Sequence, residues 1–271
     1  MIISLYMSGI NINLGGNVTT PLTFYSQQGE DLLIYKNFIN MHNKDGIFLE
    51  LGACDGLLYS NTMFFEKTLG FSGILIEPVK EFYDKLIKNR PDNCCYNNAI
   101  SSNKSDVDIL VNGAVSGIKQ HMEKTFIDSW HSKSIVRKVK TTTLSNIFQE
   151  KCIKHIDFFS LDVEGGELDV LKTIDWKNIT IYLICIELDG HNEEKDKKCR
   201  QILIDNGFIF KVKMCINEFW LNPKYFRKNI LFDSSKSEKF TGNMNDYGNH
   251  IYLEPHCKPI IEKTIYEFEN N

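Results

Sequence analysis

The feature that most constrains the fold is the regular alternation of short apolar runs with amphipathic segments along the chain. The apolar runs predict buried strands at residues 47–51, 73–77, 94–97, 156–161 and 179–188. The amphipathic segments predict helices at residues 29–43, 60–69, 79–89, 144–151, 167–174 and 193–206. Strands that alternate with helices in this way build a mostly parallel sheet covered by helices on both faces. The sequence therefore predicts a doubly wound α/β fold.

The last part of the pattern breaks this alternation. Residues 208–215 and 218–221 predict two more strands with no helix between them, so we expect an antiparallel hairpin. A plain dinucleotide-binding fold would continue with parallel strand–helix units. The hairpin instead predicts the Rossmann-like, seven-stranded arrangement of methyltransferases. Residues 107–111 and 135–141 predict extended segments, whereas residues 112–134 have no clear period.

One domain is predicted to account for most of the chain. A chain of 271 residues, 42% of them hydrophobic, is long enough to bury the core of a single α/β domain. We expect this domain at residues 24–232. An N-terminal extension at residues 1–23 and a C-terminal extension at residues 233–271 are expected to flank it.

Charge and cysteine usage limit the partners and the compartment. The formal net charge of −4 gives no overall basic field to attract nucleic acid. The eight cysteines form no Cys-x-x-Cys pair, which predicts free thiols in a reducing compartment. No apolar run reaches the roughly 18 residues that span a bilayer, and the start lacks the basic region of a signal peptide. We expect a cytoplasmic protein without a membrane partner, and a homodimer is compatible with these features.

A glycine-containing loop follows the first predicted strand, with the sequence Glu50-Leu51-Gly52-Ala53-Cys54-Asp55-Gly56. Two glycines here allow the backbone to approach a ligand closely. Their Gly-x-x-x-Gly spacing differs from the Gly-x-Gly-x-x-Gly loop that holds a pyrophosphate. The carboxylates of Glu50 and Asp55 would repel a diphosphate but attract the ammonium and sulfonium groups of S-adenosylmethionine. The loop, Cys54 included, is therefore predicted to bind that cofactor.

Glu77 ends the second predicted strand. In nucleotide-binding folds a carboxylate at this place accepts hydrogen bonds from the ribose hydroxyls. The alternative is that Glu77 only caps the helix that begins near Pro78. Gln27 and Asp31 leave a similar choice, because they either reach the cofactor at the same sheet edge or cap the first predicted helix.

Several motifs give the chain a family resemblance over residues 24–221. The most specific is Asp162-Val163-Glu164-Gly165-Gly166-Glu167, at the end of the fourth predicted strand. The others are the glycine loop, Ser26-Gln27-Gln28-Gly29-Glu30-Asp31, Asn98-Ala99-Ile100-Ser101 and Thr143-Leu144. In these motifs the sequence resembles the FkbM family of methyltransferases. One departure is Glu50, where many members of that family carry aspartate.

The resemblance implies the cofactor, the reaction and several site residues. It implies an S-adenosylmethionine-dependent enzyme that methylates hydroxyl groups of sugars, glycans or other small polar acceptors. Carried over residue by residue, it implies that the methionine part of the cofactor is lined by Glu50, Gly52, Asp55 and Gly56. It also implies that Asn98 and Ala99 meet the adenine, and that Asp162 faces the transferred methyl group.

The acceptor hydroxyl needs a base, because an alcohol is a weak nucleophile until its proton is removed. Asp162 is our first candidate and His191 the second, with Glu187 at the same sheet edge. Such carboxylates can instead hold Mg²⁺, which would lower the pKa of the acceptor hydroxyl. We expect no metal, because the spacing offers no third ligand. Glu164 and Glu167 either join this site or complement the dipole of the following helix.

Residues 114–134 form the segment about which the sequence pattern says least. Long irregular inserts in compact domains are commonly lids or binding loops. This one carries Lys119, His121, Trp130 and His131, and the indole of Trp130 would suit a sugar ring unless it only packs against protein. We therefore expect the segment to set acceptor specificity. Two other functions stay open, namely a non-catalytic interaction module with this fold and methylation of a cap or ribose hydroxyl in nucleic acid.

Overall fold

The computed structural model describes residues 10–11, 21–39, 45–103 and 105–225. Its strands are β1 Ile10–Asn11, β2 Pro21–Leu22, β3 Ile47–Leu51, β4 Ser72–Ile76, β5 Cys94–Tyr96, β6 Ala99–Ile100, β7 Val107–Val111, β8 Gly117–Ile118, β9 Ile135–Val139, β10 Thr141–Thr142, β11 His155–Leu161, β12 Thr180–Glu187, β13 Ile209–Met214 and β14 Asn217–Leu221. Its helices are α1 Glu30–Asn37, α2 Met63–Leu69, α3 Lys80–Asn89, α4 Lys124–Trp130, α5 Leu144–Glu150, α6 Glu167–Lys172 and α7 Glu193–Asp205.

A seven-stranded sheet forms the centre of the fold, in the order β13-β14-β12-β11-β3-β4-β5. Within this order the neighbouring strands β12, β11, β3, β4 and β5 all pair in parallel, as strands joined by helices do. β14 is antiparallel to both β12 and β13, so the chain ends this sheet with a hairpin. The doubly wound, Rossmann-like sheet and its antiparallel hairpin are therefore as predicted.

Both faces of this sheet are buried, which explains why its strands are apolar without alternation. Successive side chains point to opposite faces, so Phe158 and Phe159 of β11 belong to two different core layers. The layer with Phe158 also contains Phe48, Phe64, Phe65 and Phe219, and it lies under α1 and α2. The other layer packs against α5, α6 and α7. These layers fix the positions of the strand ends.

A smaller sheet in the order β8-β7-β9 lies beside the central one. Its three strands are antiparallel, and they contain the predicted extended segment at 107–111 and residues 135–139 of the one predicted at 135–141. Thr141 begins β10, which pairs with β6 instead. Residues 112–134 are more regular than the sequence indicates, because they include β8 and α4. The structure corrects that expectation and gives the segment a defined shape.

Several smaller expectations need correction or fall outside the described ranges. The first helix ends at Asn37, short of the predicted residue 43, and residues 40–43 lie outside the described ranges. Six cysteines are free as predicted, but Cys215 is disulfide-bonded and lies in the turn between β13 and β14. Most of the two predicted extensions also lies outside the description. Within the described part of the chain, no helix combines the length and the apolarity needed to cross a bilayer.

Candidate active site

A cavity of about 540 Å³ opens at the carboxyl ends of the central strands. Leu51 and Ile76 end β3 and β4 there, and Glu187 ends β12. Parallel α/β sheets bind ligands at this edge, where the loops after several strands converge. The size is within the range of small-molecule and cofactor sites. The cavity is therefore the candidate active site.

Gly52 allows the loops after β3 and β11 to meet. It has a φ of +77°, and a Cβ at this position would lie 2.0 Å from the backbone oxygen of Asp162. A side chain at position 52 would therefore push the two loops apart. Because Gly52, Cys54 and Asp162 all line the cavity, this close approach shapes its floor.

Glu77 connects the glycine loop to the start of α3. It is 4% exposed, and its carboxylate accepts hydrogen bonds from the backbone N–H groups of Cys54 at 2.9 Å and Val79 at 2.7 Å. Burial raises the pKa of Glu77 to about 7. Val79 is the N-cap of α3, so the bond from its N–H to Glu77 also holds the start of this helix, in line with the capping alternative. Glu77 also lines the cavity, and each carboxylate oxygen retains a lone pair for a ribose hydroxyl.

Glu50 lines the cavity, but its carboxylate is already committed to the protein. It accepts hydrogen bonds from the hydroxyls of Ser60 at 2.9 Å and Thr62 at 2.6 Å, and from the backbone of Asn61 at 2.7 Å. Burial raises its pKa, although the nearby guanidinium of Arg90 works against that shift. Glu50 therefore shapes the loop more than it offers a free charge to a ligand.

Asp55 and Gly56 are not among the described residues that line the cavity. The Asp55 carboxylate turns back to accept the N–H groups of Leu57 at 3.0 Å and Leu58 at 2.8 Å. Gly56 packs under the loop, where a Cβ would lie 2.7 Å from Cγ of Arg90. In the structure these two residues fold the loop, and their direct contact with the cofactor stays a prediction.

The motif at residues 26–31 places different residues in the cavity than the sequence indicated. Asp31 is fully buried away from the cavity lining and accepts the hydroxyl of Ser26 at 2.5 Å, so its structural alternative holds. Gln27 does line the cavity. Gln28 and Glu30 line it as well, and the sequence analysis missed both. Gln28 and Glu30 belong to the same motif as Gln27, and this was the sequence signal that could have placed them in the cavity.

Asn98 and Ala99 line the cavity together with Pro78, and they follow β5, which is at the other end of the parallel strands from β12. Asn98 is half-buried and its side-chain amide donates to the backbone oxygen of Lys140 at 3.4 Å. Ala99 is buried at the start of β6. Small and polar side chains here leave space for a flat ring.

Three carboxylates meet where β11 and β12 end. Oxygens of Asp162, Glu164 and Glu187 lie within 4.8 Å of one another, an arrangement that is able to hold a metal ion. This corrects the expectation that no third ligand is available, because Glu164 has a φ of +55° that turns the chain back toward the cavity. Burial and mutual repulsion raise the pKa of Glu187 well above its ordinary value and that of Glu164 to about 9. Burial also raises the pKa of Asp162.

Glu167 differs from these three carboxylates. It is buried at the first turn of α6 and accepts hydrogen bonds from the N–H of Gly165 at 3.0 Å and the ammonium of Lys195 at 2.6 Å. It does not line the cavity within the described part of the chain. The helix-dipole explanation therefore fits Glu167 and not Glu164.

His191 lines the cavity and is held by the carboxylate of Asp189. Its Nδ1 lies 2.5 Å from Oδ2 of Asp189, whose other oxygen accepts the backbone N–H of His191 at 2.9 Å. Partial burial alone would raise the pKa of Asp189, but the hydrogen bonds from His191 lower it. The pair fixes the imidazole and leaves Nε2 for another partner.

The segment at 114–134 contributes the remaining wall. Residues 113–118 line the cavity together with Phe126 and Trp130 of α4. The ring of Phe126 lies edge-on to His191 at 5.7 Å, and Trp130 is 56% exposed at the rim. Lys119, His121 and His131, the other candidates of this segment, do not line the cavity within the described chain. His121 instead lies 3.7 Å from Asp169, and His131 bonds to Ser134 at 2.7 Å.

The charges around the cavity fit S-adenosylmethionine. Within the described ranges its lining includes no lysine or arginine. The acidic residues of the lining are Glu30, Glu50, Glu77, Asp162, Glu164, Glu187 and Asp189. Such a lining repels a diphosphate and attracts the ammonium and sulfonium groups. Together with the close loops at Gly52 and the buried carboxylate of Glu77, it suits this cofactor.

Comparisons with known proteins agree with this interpretation. The sequence model of the family described as Methyltransferase FkbM domain matches residues 50–210, more than half of the chain. No curated protein sequence matches significantly.

Two solved structures resemble this chain at low identity. Fibrillarin from Aeropyrum pernix, in complex with natively bound S-adenosyl-L-methionine, is 12% identical, with 81% of this chain and 83% of that chain covered and a TM-score of 0.44. A TehB-like methyltransferase from Corynebacterium glutamicum is 10% identical, with coverage of 72% and 87% and a TM-score of 0.40. Family membership is established by the sequence match alone. This chain belongs to the FkbM family of S-adenosylmethionine-dependent methyltransferases.

Proposed function

We propose that the protein transfers a methyl group to a hydroxyl oxygen of a small polar acceptor, a sugar or glycan in particular. The observation that carries the proposal is that one cavity joins the glycine loop to His191, Phe126 and Trp130. A flat aromatic side chain at a cavity rim suits the apolar face of a sugar ring. The cofactor and acceptor would therefore meet at the ends of β11 and β12.

His191 is the favoured base in this proposal. S-adenosylmethionine, when bound, supplies an electrophilic methyl group and leaves as S-adenosylhomocysteine. The acceptor oxygen forms the new bond to the methyl carbon, and its proton passes to Nε2 of His191. The Asp189 carboxylate, 2.5 Å from Nδ1, would orient the ring and stabilise the imidazolium. Asp162, the first candidate from the sequence, instead shares its site with Glu164 and Glu187.

The alternative of a nucleic-acid hydroxyl has less support. Phosphate groups bring negative charge, and the described lining of the cavity offers them no lysine or arginine. The metal alternative retains a possible ligand set in the three clustered carboxylates. Metal removal with a chelator distinguishes it, because the proposed base does not depend on a metal ion.

The test is methyl transfer from labelled S-adenosylmethionine to neutral sugars, glycans, nucleotide sugars and capped RNA. We expect S-adenosylhomocysteine to raise the melting temperature, NADH to leave it unchanged, and label to enter a hydroxyl of a non-phosphorylated acceptor in the presence of EDTA. Transfer only to RNA would overturn the acceptor class. Cofactor binding without transfer to any acceptor would favour a non-catalytic interaction module.

A further inference from the structure

The three carboxylates at the ends of β11 and β12 have no counter-charge within the described chain. Apart from one another, Asp162, Glu164 and Glu187 have no hydrogen-bond or ion-pair partner there. The cation that acts electrostatically on Glu164 is Lys195. Its ammonium is already paired with Glu167 at 2.6 Å. Burial and mutual repulsion raise the pKa of Glu164 and Glu187, because ionised carboxylates in such a site are costly without a counter-charge. A cation from outside the protein would supply that counter-charge and favour the ionised form of the cluster.

A second observation also indicates a donor-rich ligand. Gln28 lines the same cavity and is 7% exposed, yet its side-chain oxygen has no hydrogen-bond partner. The side-chain oxygen of Asn61, another lining residue, has none either. Glu30 connects Gln28 to Asn217, since its carboxylate accepts hydrogen bonds from both residues. The unpartnered groups of the cavity are thus acceptors, and an ammonium group supplies three donors.

We propose that Glu164, with Asp162 and Glu187, selects acceptors that carry a protonated amine near the hydroxyl to be methylated, as an amino sugar does. This inference rests on the proposed hydroxyl methylation and names its substrate class. Acceptors with phosphate or carboxylate groups are rejected by the same charges. Glu164 is then a specificity-determining residue, separate from the base.

The surroundings of Glu164 favour an organic cation over a metal ion. Glu164 packs against the segment at 114–134 that is expected to set acceptor specificity. A Cβ on Gly117 of β8 would lie 2.9 Å from the Cβ of Glu164. That segment brings the rings of Phe126 and Trp130 to the cavity wall. Aromatic faces attract organic ammonium groups, whereas Mg²⁺ and Ca²⁺ prefer shells of oxygen ligands and water.

The experiment measures binding to the full chain saturated with S-adenosylhomocysteine, so that the ammonium of the cofactor has already taken its own partners. The probes are glucosamine oligomers and N-acetylglucosamine oligomers of equal length, in which the acetyl group removes the charge of the nitrogen. By calorimetry we expect the glucosamine probe to bind about tenfold or more tightly, as charge-assisted hydrogen bonds do. Glu164→Gln, compared at the same saturation with S-adenosylhomocysteine, should remove most of this preference. Glu194→Gln, an exposed control on α7, should retain it.

The outcomes separate this inference from the proposed function. Equal binding of both probes, with hydroxyl-only acceptors methylated, would overturn the amine inference alone. Tight binding of Mg²⁺ or Mn²⁺ that is lost in Glu164→Gln would overturn it in favour of a metal site. A preference for the amine without transfer to any hydroxyl would support the cation site and overturn the hydroxyl assignment. If Glu164→Gln fails to show a melting transition, Glu187→Gln provides the same comparison.

Discussion

A substitution of His191 tests whether this residue, and not one of the carboxylates around it, is the base. Glutamine at this position keeps hydrogen-bonding groups but does not take up a proton near neutral pH, so His191→Gln should lower kcat by roughly 10²- to 10⁴-fold. The KM for the acceptor and the affinity for S-adenosylhomocysteine should change little. Steady-state methyl-transfer kinetics measure both quantities. Normal turnover in His191→Gln, with a loss of this size in Asp162→Asn, would return the base to Asp162.

A substitution of Glu77 tests whether this part of the cavity binds the cofactor. Glu77→Ala should weaken S-adenosylhomocysteine binding by about 1.5–3 kcal/mol, because it removes charged acceptors from the ribose. It also leaves the N–H groups of Cys54 and Val79 without their partner. Calorimetry measures the affinity, and Glu81→Ala, an exposed change in the first turn of the following helix α3, is the control. Unchanged affinity in a folded Glu77→Ala protein would remove Glu77 from the cofactor site.

Single residues show where prediction from the sequence reaches its limit. Motif spacing located loops that line the cavity, since Gly52, Glu77 and Asp162 are all among its lining residues. It did not separate Gln27 from Gln28, because the path of the loop decides which side chain is buried. Glu164 was assigned only as an alternative, since its residue type does not predict the left-handed backbone that it adopts.

Among the elements, the glycine loop depends on Arg90 at the end of α3. This side chain is fully buried, donates to the backbone oxygen of Gly56 at 3.0 Å and to Thr62 at 3.2 Å, and pairs with Glu66. Arg90→Met should lower the free energy of unfolding by about 3–5 kcal/mol, because Glu66 would lose its buried counter-charge. The measurement is unfolding in urea.

The matched control for this change is Arg137→Met. Arg137 is about half exposed and lies 3.6 Å from Glu81 on the surface. Surface ion pairs contribute little, so its loss should cost less than about 1 kcal/mol. Equal losses in the two variants would mean that the buried network around Arg90 is not what holds the loop.

The elements that the sequence predicted well are those with the strongest apolar patterns. β11 and β12 are almost completely buried, so their apolar runs are unbroken. α4 behaves in the opposite way, because none of its residues is buried and it carries no periodic signal. Its helix is set by contacts with neighbouring segments, such as the hydrogen bond from Asn112 to the backbone oxygen of Trp130 at 2.6 Å. Tertiary contacts of this kind are invisible to a pattern in the sequence.

Across the whole molecule, the strand order follows from connection lengths that the sequence does contain. β3, β4 and β11 are each followed by a helix that returns the chain over the sheet, and right-handed crossovers then leave few possible orders. No helix separates β13 from β14, so these two strands pair as an antiparallel hairpin at the end of the sheet. The small sheet of β7, β8 and β9 was harder to foresee, because two of its strands are separated by α4 and pair only after folding.

The buried carboxyl groups give the molecule a distinctive dependence of stability on pH. Burial raises the pKa of Glu30 to about 7 and that of Glu77 to about 7, both from an ordinary value of 4.5. Between pH 4.5 and about pH 7, the carboxyl groups of Glu30 and Glu77 keep protons in the folded state that they have lost in the unfolded state. The stabilisation is therefore complete below pH 4.5 and is lost as the pH rises through 7. From pH 6.5 to 8 the two groups together should lower the free energy of unfolding by about 1.5 kcal/mol.

Urea unfolding at pH 6.5 and at pH 8 measures this difference, and the variants assign it. Asp169 and Asp189 have lowered pKa values, so they are ionised in both states over this range and do not contribute. Glu164, with a pKa raised to about 9, acts in the same direction as the two buried glutamates. Burial lowers the pKa of His121 and of His131, and these two groups act in the opposite direction. Glu77→Gln cannot titrate and should reduce the difference between the two pH values, whereas the exposed Glu194→Gln should leave it unchanged. Stability that is constant or rises toward pH 8 would contradict the assignment, because it would require these carboxyl groups to be ionised without cost inside the fold.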